Sequence, residues 1–129
     1  MTATTATSHP KSSDRVAIPP AKALAYFAVF ATALGGSIVL GGPLMLVLLL
    51  VPDLALLTSL SSLREGQLDR RAVRAYNLAH HLPTAVAGVA AGLIVPSILP
   101  FALLWLAHIA MDRTVGYSPR ALDGTQRGF

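Results

Sequence analysis

A histidine and an aspartate stand four positions apart within the apolar segment ILPFALLWLAHIAMDRTVGY. Residues with this spacing are neighbours on one face of a helix, so His108 and Asp112 point the same way. Imidazole nitrogens and carboxylate oxygens can bind a divalent metal ion, exchange protons or form hydrogen bonds between helices. The spacing therefore indicates that the two side chains act together, and it leaves these three kinds of chemistry open.

Two further segments place polar side chains inside apolar sequence. Asp53 lies in VPDLALL, and Tyr76, Asn77 and His80 lie in AYNLAHHLP. An ionised carboxylate in hydrocarbon costs at least about 2.5–3.5 kcal/mol, so both aspartates must be paired, protonated or coordinated. Nitrogen and oxygen donors in this mixture suit zinc or a similar divalent transition metal ion. The candidate ligands of such an ion are Asp53, His80, His108 and Asp112.

The composition indicates that lipid is the solvent of this chain. Of its 129 residues, 53% are hydrophobic and 12% are charged, and the mean hydropathy is +0.60. An ordinary soluble domain carries about 25% charged residues. The length suits one domain. Because the chain has no cysteine, disulfides, thiolate metal sites and cysteine nucleophiles are excluded.

Four apolar segments are each close to the roughly 20 residues that a helix needs to cross a bilayer. We predict an all-α fold, an integral membrane four-helix bundle built as two transmembrane hairpins. Pro52 lies inside the second span, where it is expected to kink the helix and free the Leu48 carbonyl. The transmembrane domain covers residues 23–117, with spans at residues 23–42, 43–63, 76–94 and 99–116.

The positions of the basic residues predict the orientation in the membrane. They lie in the polar tail of residues 1–22, in the central loop 64–74, and from Arg113 to the C-terminus. Basic loops stay in the cytoplasm, so we predict a multi-pass protein of the inner (cytoplasmic) membrane with both termini cytoplasmic. Residues 1–22 are expected to be a disordered tail, and residues 118–129 a cytoplasmic tail. Because the basic residues form no single cluster, the expected partner is the lipid bilayer and not nucleic acid.

This topology brings the polar side chains to one depth. A helix rises about 1.5 Å per residue, which places Asp53, Asn77, His80, His108 and Asp112 in the cytoplasmic half of their spans. Three helices thus deliver these side chains to one layer. The sequence predicts a buried polar cluster near the cytoplasmic leaflet, whose members are Asp53, Tyr76, Asn77, His80, His108, Asp112 and Arg113.

Two other features have more than one interpretation. Gly88 and Gly92 form a GxxxG motif, which lets helix backbones approach closely, either within the chain or in a homo-oligomer through this face. Arg113 points away from His108 and Asp112 on a helix, so we expect its side chain to extend to the membrane interface.

Three motifs carry a resemblance to a known family. VPDLALL, AYNLAHHLP and LWLAHIAMDRTVGY, in that order, resemble the successive motifs of a small family of bacterial integral membrane proteins, domain of unknown function 4260. The resemblance implies a shared fold and a shared polar cluster, and no reaction. The tail SPRALDGTQRGF departs from the family pattern because it has no histidine. The positions to which the resemblance points are Asp53, Tyr76, Asn77, His80, His108, Asp112, Arg113, Gly116 and Tyr117.

Three functions are open from the sequence. In the simplest, the polar cluster is structural and fixes the register of the helices through hydrogen bonds. In the second, the protein is a metal-dependent membrane hydrolase whose metal ion activates water, with Tyr76 or Asn77 orienting the substrate. In the third, the protein is a proton or small-solute transporter subunit whose imidazoles and carboxylates exchange protons.

Overall fold

The computed structural model describes residues 17–54 and 70–122, and every regular element in these residues is helical. Short 3-10 turns at Val51–Asp53 and Pro96–Ile98 connect the helices. The all-α prediction is confirmed. The helices are α1 (Pro20–Gly41), α2 (Met45–Leu48), α3 (Arg70–Ala79), α4 (Leu82–Ile94) and α5 (Leu99–Thr114).

The first and fourth predicted helices are present as α1 and α5, which pack along each other. Small residues on α1 allow the close approach. The buried Ser37 hydroxyl donates a hydrogen bond to the Pro100 carbonyl at 2.8 Å, and a Cβ added at Gly41 would lie 2.9 Å from the Pro100 Cβ. This pair of helices forms the frame on which the other elements are placed.

Among the described residues, α1 is the one helix that is both long and apolar enough to cross a membrane. It has 22 residues with a mean hydropathy of 2.0, and only 11% of its most apolar stretch is buried within the protein. The apolar helix α4 has 13 residues and is shorter than a span requires.

The third predicted helix is two helices in the structure. α3 ends at Ala79 and α4 begins at Leu82, with His81 in an extended conformation between them. Pro83 explains the break, because a proline has no N–H for the hydrogen bond of a continuing helix and fits the first turn of a new one. His80 therefore lies at a corner of the backbone.

The second predicted span also departs from a regular helix. α2 ends at Leu48, and the chain continues into the 3-10 turn Val51–Asp53 around Pro52. The predicted kink is present, and residues 55–63 of this span lie outside the described residues. The same holds for residues 1–16, where we predicted a disordered tail, and for most of the central loop.

The GxxxG motif of α4 faces α5 of the same chain. A Cβ added at Gly92 would lie 2.8 Å from the Leu99 Cα atom, whereas one added at Gly88 would lie 3.7 Å from the Ala102 Cβ. Packing within the chain therefore needs a glycine at position 92. A homo-oligomer through this face stays a prediction.

The two glycines give a matched pair of substitutions. We expect Gly92→Ala to lower the free energy of unfolding by about 1–3 kcal/mol, because the new methyl group meets backbone that cannot move aside. Gly88→Ala has room for its methyl group and gains about 0.5–1 kcal/mol from the higher helix propensity of alanine. Chemical unfolding in detergent measures both values. Equal effects of the two substitutions would contradict the packing described here.

Candidate metal centre

Four of the polar side chains predicted to cluster come together at one point. His80 lies at the corner after α3, Asp53 ends the 3-10 turn after α2, and His108 and Asp112 lie one turn apart on α5. One nitrogen or carboxylate oxygen from each residue lies within 4.8 Å of the others. The predicted set of metal ligands is therefore brought together by three separate elements.

Five of the six distances between these donor atoms are close to those around a small metal ion, within a group whose atoms all lie within 4.8 Å of one another. The two Nε2 atoms are 3.0 Å apart, and Nε2 of His80 is 3.2 Å from Asp112 Oδ2 and 3.4 Å from Asp53 Oδ1. Nε2 of His108 is 3.5 Å from Asp53 Oδ1 and 3.9 Å from Asp112 Oδ2. A tetrahedral site with bonds of about 2.0–2.1 Å has ligands about 3.3 Å apart.

The site is closed on the histidine side and open at one aspartate. His80 and His108 are 2% and 0% exposed. The side chain of Asp112 is 14% exposed and that of Asp53 is 35% exposed. A small molecule from outside would therefore reach the cluster at the Asp53 edge.

Backbone carbonyls fix the hydrogen on the other nitrogen of both imidazole rings. Nδ1 of His80 is 2.8 Å from the Tyr76 carbonyl oxygen, and Nδ1 of His108 is 2.8 Å from the Leu49 carbonyl oxygen. A carbonyl oxygen only accepts hydrogen bonds, so each Nδ1 carries the hydrogen and donates it. In a neutral ring Nε2 then has no hydrogen, and its lone pair points into the cluster. Metal-binding histidines are oriented in the same way.

The carbonyl that holds His108 is available because of the irregular backbone around Pro52. In a continuing α-helix the Leu49 carbonyl would accept a hydrogen bond from the N–H of Asp53. The 3-10 turn instead directs that N–H to the Leu50 carbonyl at 3.1 Å. We predicted a freed carbonyl at Leu48, and the one that contacts the cluster belongs to the next residue, Leu49.

The aromatic neighbours hold the His80 ring in place. The ring of Tyr76 stacks on it with the centroids 3.9 Å apart and an angle of 18° between the planes. The indole N–H of Trp105 donates to the Ala79 carbonyl, which ties α5 to the residue before His80. Tyr76 therefore contacts the cluster through the face of its ring.

Arg113 does not extend to a membrane interface as we predicted. It is 7% exposed, and its guanidinium donates to the Tyr117 carbonyl at 3.0 Å and to the His80 carbonyl at 3.4 Å. The corner between α3 and α4 leaves the His80 carbonyl without a helical partner, and the arginine side chain folds back to it. His81 is exposed, and its Nδ1 atom lies 2.6 Å from the Thr84 Oγ1 atom. Its ring is therefore turned away from the cluster, as expected.

The segment after α5 returns to α3, which was not predicted from the sequence. The Asn77 side-chain amide donates to the Arg120 carbonyl at 2.8 Å and accepts from the Arg120 N–H at 2.8 Å. The Arg120 guanidinium lies 5.5 Å from the centre of the Tyr76 ring. Asn77 therefore anchors the segment next to the ring that packs on His80.

The anchor can be tested with a pair of substitutions. We expect Asn77→Ala to lower the free energy of unfolding by about 1–3 kcal/mol, because both hydrogen bonds to the buried backbone of Arg120 are lost. Asn77→Asp keeps the acceptor but places a carboxylate oxygen against the Arg120 carbonyl in place of the donor, so we expect its effect to be at least as large. Trypsin cleavage after Arg120, which is 6% exposed, should become faster in both variants. Unchanged cleavage in Asn77→Ala would exclude this role.

A family match covers most of the chain. Residues 21–127 match the family model described as domain of unknown function 4260, or DUF4260. The chain belongs to the DUF4260 family. The match in this DUF4260 protein includes all four residues of the candidate metal centre, as well as Asn77 and Arg120. No curated protein and no solved structure matches the chain.

Proposed function

We propose that this DUF4260 protein is a membrane-embedded metalloprotein that binds one divalent transition metal ion between Asp53, His80, His108 and Asp112. The observation that carries the proposal is the pair of Nδ1–H groups donated to the Tyr76 and Leu49 carbonyls. They leave two bare nitrogens and two carboxylates directed at one another, and a cation at their centre satisfies all four.

Protons alone satisfy this cluster less well. Without added protons, four acceptors with a net charge of −2 face one another in a mostly buried site, which is unfavourable. One proton on His80 provides a single N–H for three acceptors at 3.0–3.4 Å and leaves a net charge of −1. A second proton on His108 brings two imidazolium nitrogens within 3.0 Å of each other. A divalent ion balances the two carboxylates and contacts both rings.

The membrane setting rests on α1 and on the apolar surface. Large apolar side chains on α1 and α4 are exposed, among them Val39 and Ile94, each at 84%, and Leu93 at 72%. A soluble monomer rarely exposes apolar patches of this kind. Although α4 with its 13 residues is shorter than a full span, we retain the four-span arrangement, the inner membrane and the cytoplasmic termini as parts of the proposal, with the metal centre toward the cytoplasmic side.

The chemistry that suits this site is metal-assisted hydrolysis. A bound zinc ion lowers the pKa of a coordinated water to about 7 and polarises a carbonyl or phosphoryl oxygen. A catalytic zinc site keeps a position for water or substrate. Asp53 lies at the exposed edge of the cluster, so it is the ligand that can give way to one of them.

The metal content of the purified protein tests the proposal. The full chain, purified in detergent, loaded with zinc and desalted, should retain about one ion per chain by elemental mass spectrometry, because structural zinc sites bind with about 10–16 kcal/mol. Asp53→Asn should retain clearly less, and His81→Ala, which changes a histidine outside the cluster, should match the wild type. A wild-type protein that retains no more zinc than Asp53→Asn would contradict the proposal.

The other two functions predict different results in the same material. A purely structural cluster predicts protein free of metal, in which substitutions only reduce stability. A proton pathway predicts proton uptake by liposomes that contain the protein when a pH gradient is imposed, and loss of this uptake in Asp112→Asn.

A further inference from the structure

An apolar cavity lies on the elements that carry the metal ligands. Its volume is about 400 Å³, within the range of about 300–1,000 Å³ that is usual for small-molecule sites. The side chains that line it are Leu48, Val51, Pro52, Ala79, Phe101, Leu104 and Trp105.

The cavity wall and the metal ligands are built from the same pieces of backbone. Pro52 directly precedes Asp53, and Ala79 directly precedes His80. Leu104 lies one helical turn before His108, on the same side of α5. The cavity therefore adjoins the pieces of backbone that carry Asp53, His80 and His108.

The cavity offers its occupant no polar partner from a side chain. Among the lining side chains, Trp105 alone has a polar atom, the indole N–H. This N–H donates to the Ala79 carbonyl, so both groups already have a hydrogen-bond partner within the protein. A polar occupant would lose its hydrogen bonds to water without replacing them, which is unfavourable. An alkyl chain has no such bonds to lose.

We propose that the cavity holds the alkyl chain of an amphiphilic ligand whose polar group binds the metal ion. This inference rests on the proposed metal centre and names the class of molecule that the centre takes. The polar end meets the ion at the Asp53 edge, and the chain extends between α5 and the 3-10 turn. The natural ligand is accordingly a lipid-like molecule with a metal-binding head.

Alkyl hydroxamates test the inference, because the hydroxamate head binds the metal ion and the chain length can be varied. The full chain is loaded with cobalt in detergent, and the binding of acetohydroxamate and of the twelve-carbon hydroxamate is followed by the visible absorption of the ion. The ratio of the two affinities is compared between variants. Partition of the long chain into detergent is the same for every variant and cancels.

Two variants fill the cavity from different sides, Leu104→Trp and Ala79→Leu. We expect the affinity for the twelve-carbon hydroxamate to fall at least about tenfold in each, the equivalent of losing about two buried methylene groups. The affinity for acetohydroxamate should stay within about twofold, because the ligands of the ion are unchanged. The control Leu93→Phe, at a residue that is 72% exposed and outside the lining, should leave both affinities unchanged.

The outcomes separate this inference from the proposed function. If both hydroxamates bind and neither filled variant lowers the affinity for the long one, the chain lies elsewhere and the inference is wrong. If neither hydroxamate binds and no cobalt is retained by the wild type, the metal centre itself is wrong. If Leu104→Trp does not retain cobalt, the test rests on Ala79→Leu. A lower affinity of Ala79→Leu for the twelve-carbon hydroxamate supports the inference, and an unchanged affinity contradicts it.

Discussion

We expect His108→Ala to weaken zinc binding by at least about two orders of magnitude. A structural zinc site with four ligands binds with about 10–16 kcal/mol, so an average ligand contributes about 2.5–4 kcal/mol. His108 is fully buried, and its Nε2 is directed to the other three donors by the hydrogen bond from Nδ1 to Leu49. Within residues 17–54 and 70–122 the remaining histidine is His81, which does not take its place because its ring is exposed and turned toward Thr84.

The matched control is His81→Ala, which removes an imidazole one residue from His80. It should bind zinc like the wild type, because its ring has no contact with the cluster. Competition with a zinc-binding dye in detergent measures the affinity of both variants. If both substitutions weakened zinc binding equally, the histidines would act through general stability or nonspecific binding and the assigned ligands would be wrong.

The second large effect concerns the stability that zinc provides. A ligand at 1,000 times its dissociation constant stabilises the folded protein by about 4 kcal/mol. We expect the wild type to gain about this much and Asp112→Asn to gain almost nothing at the same zinc concentration. The amide of asparagine has nearly the shape of the carboxylate, so Asp112→Asn should leave the packing of α5 unchanged. It removes only the negative charge of this side chain from the cluster.

Chemical unfolding of both proteins with zinc and with a chelator gives the four values that are needed. Asp53→Asn provides the comparison at the exposed edge, where the side chain is 35% exposed against 14% for Asp112. We expect an intermediate gain for this variant, because water can replace an exposed ligand more easily than a buried one. An equal gain from zinc in the wild type and in Asp112→Asn would show that the ion binds elsewhere.

The meeting of Asp53, His80, His108 and Asp112 could be predicted from sequence because ionisable side chains are conspicuous in an apolar chain. Ionisable side chains are too costly to leave alone in such surroundings, so their presence indicates that they meet. The spacing of His108 and Asp112 further places both on one face of α5. These arguments need only the residue types and a count of positions along the chain. The same count placed Asp53 and His80 at the depth of His108 and Asp112 in the predicted spans.

The surroundings of the site could not be predicted because they depend on breaks in the helices. Pro83 ends the third predicted helix at a corner, and this corner brings Arg113 to the His80 carbonyl. The 3-10 turn around Pro52 decides that Leu49 holds His108. The sequence shows that a proline disrupts a helix, and only the three-dimensional structure shows where the released carbonyl groups then point.

The return of the C-terminal segment is a further example. Asn77 was predicted to belong to the polar cluster, yet its amide is used by the backbone of Arg120, 43 residues later. Almost every residue type can form a hydrogen bond through its backbone, so the residue type does not show which residue is the partner of Asn77. The contact could not be found by counting positions on a helix, because Arg120 lies beyond the end of α5.

The X-ray absorption spectrum of the zinc-loaded protein at the zinc edge tests the central claim most directly. The account predicts a first shell of nitrogen and oxygen only, at about 2.0–2.1 Å, with the outer-shell scattering of two imidazole rings, and with one ring missing in His80→Ala. A spectrum with no imidazole scattering in the wild type, or the same number of rings in His80→Ala, would contradict a metal centre built on these histidines.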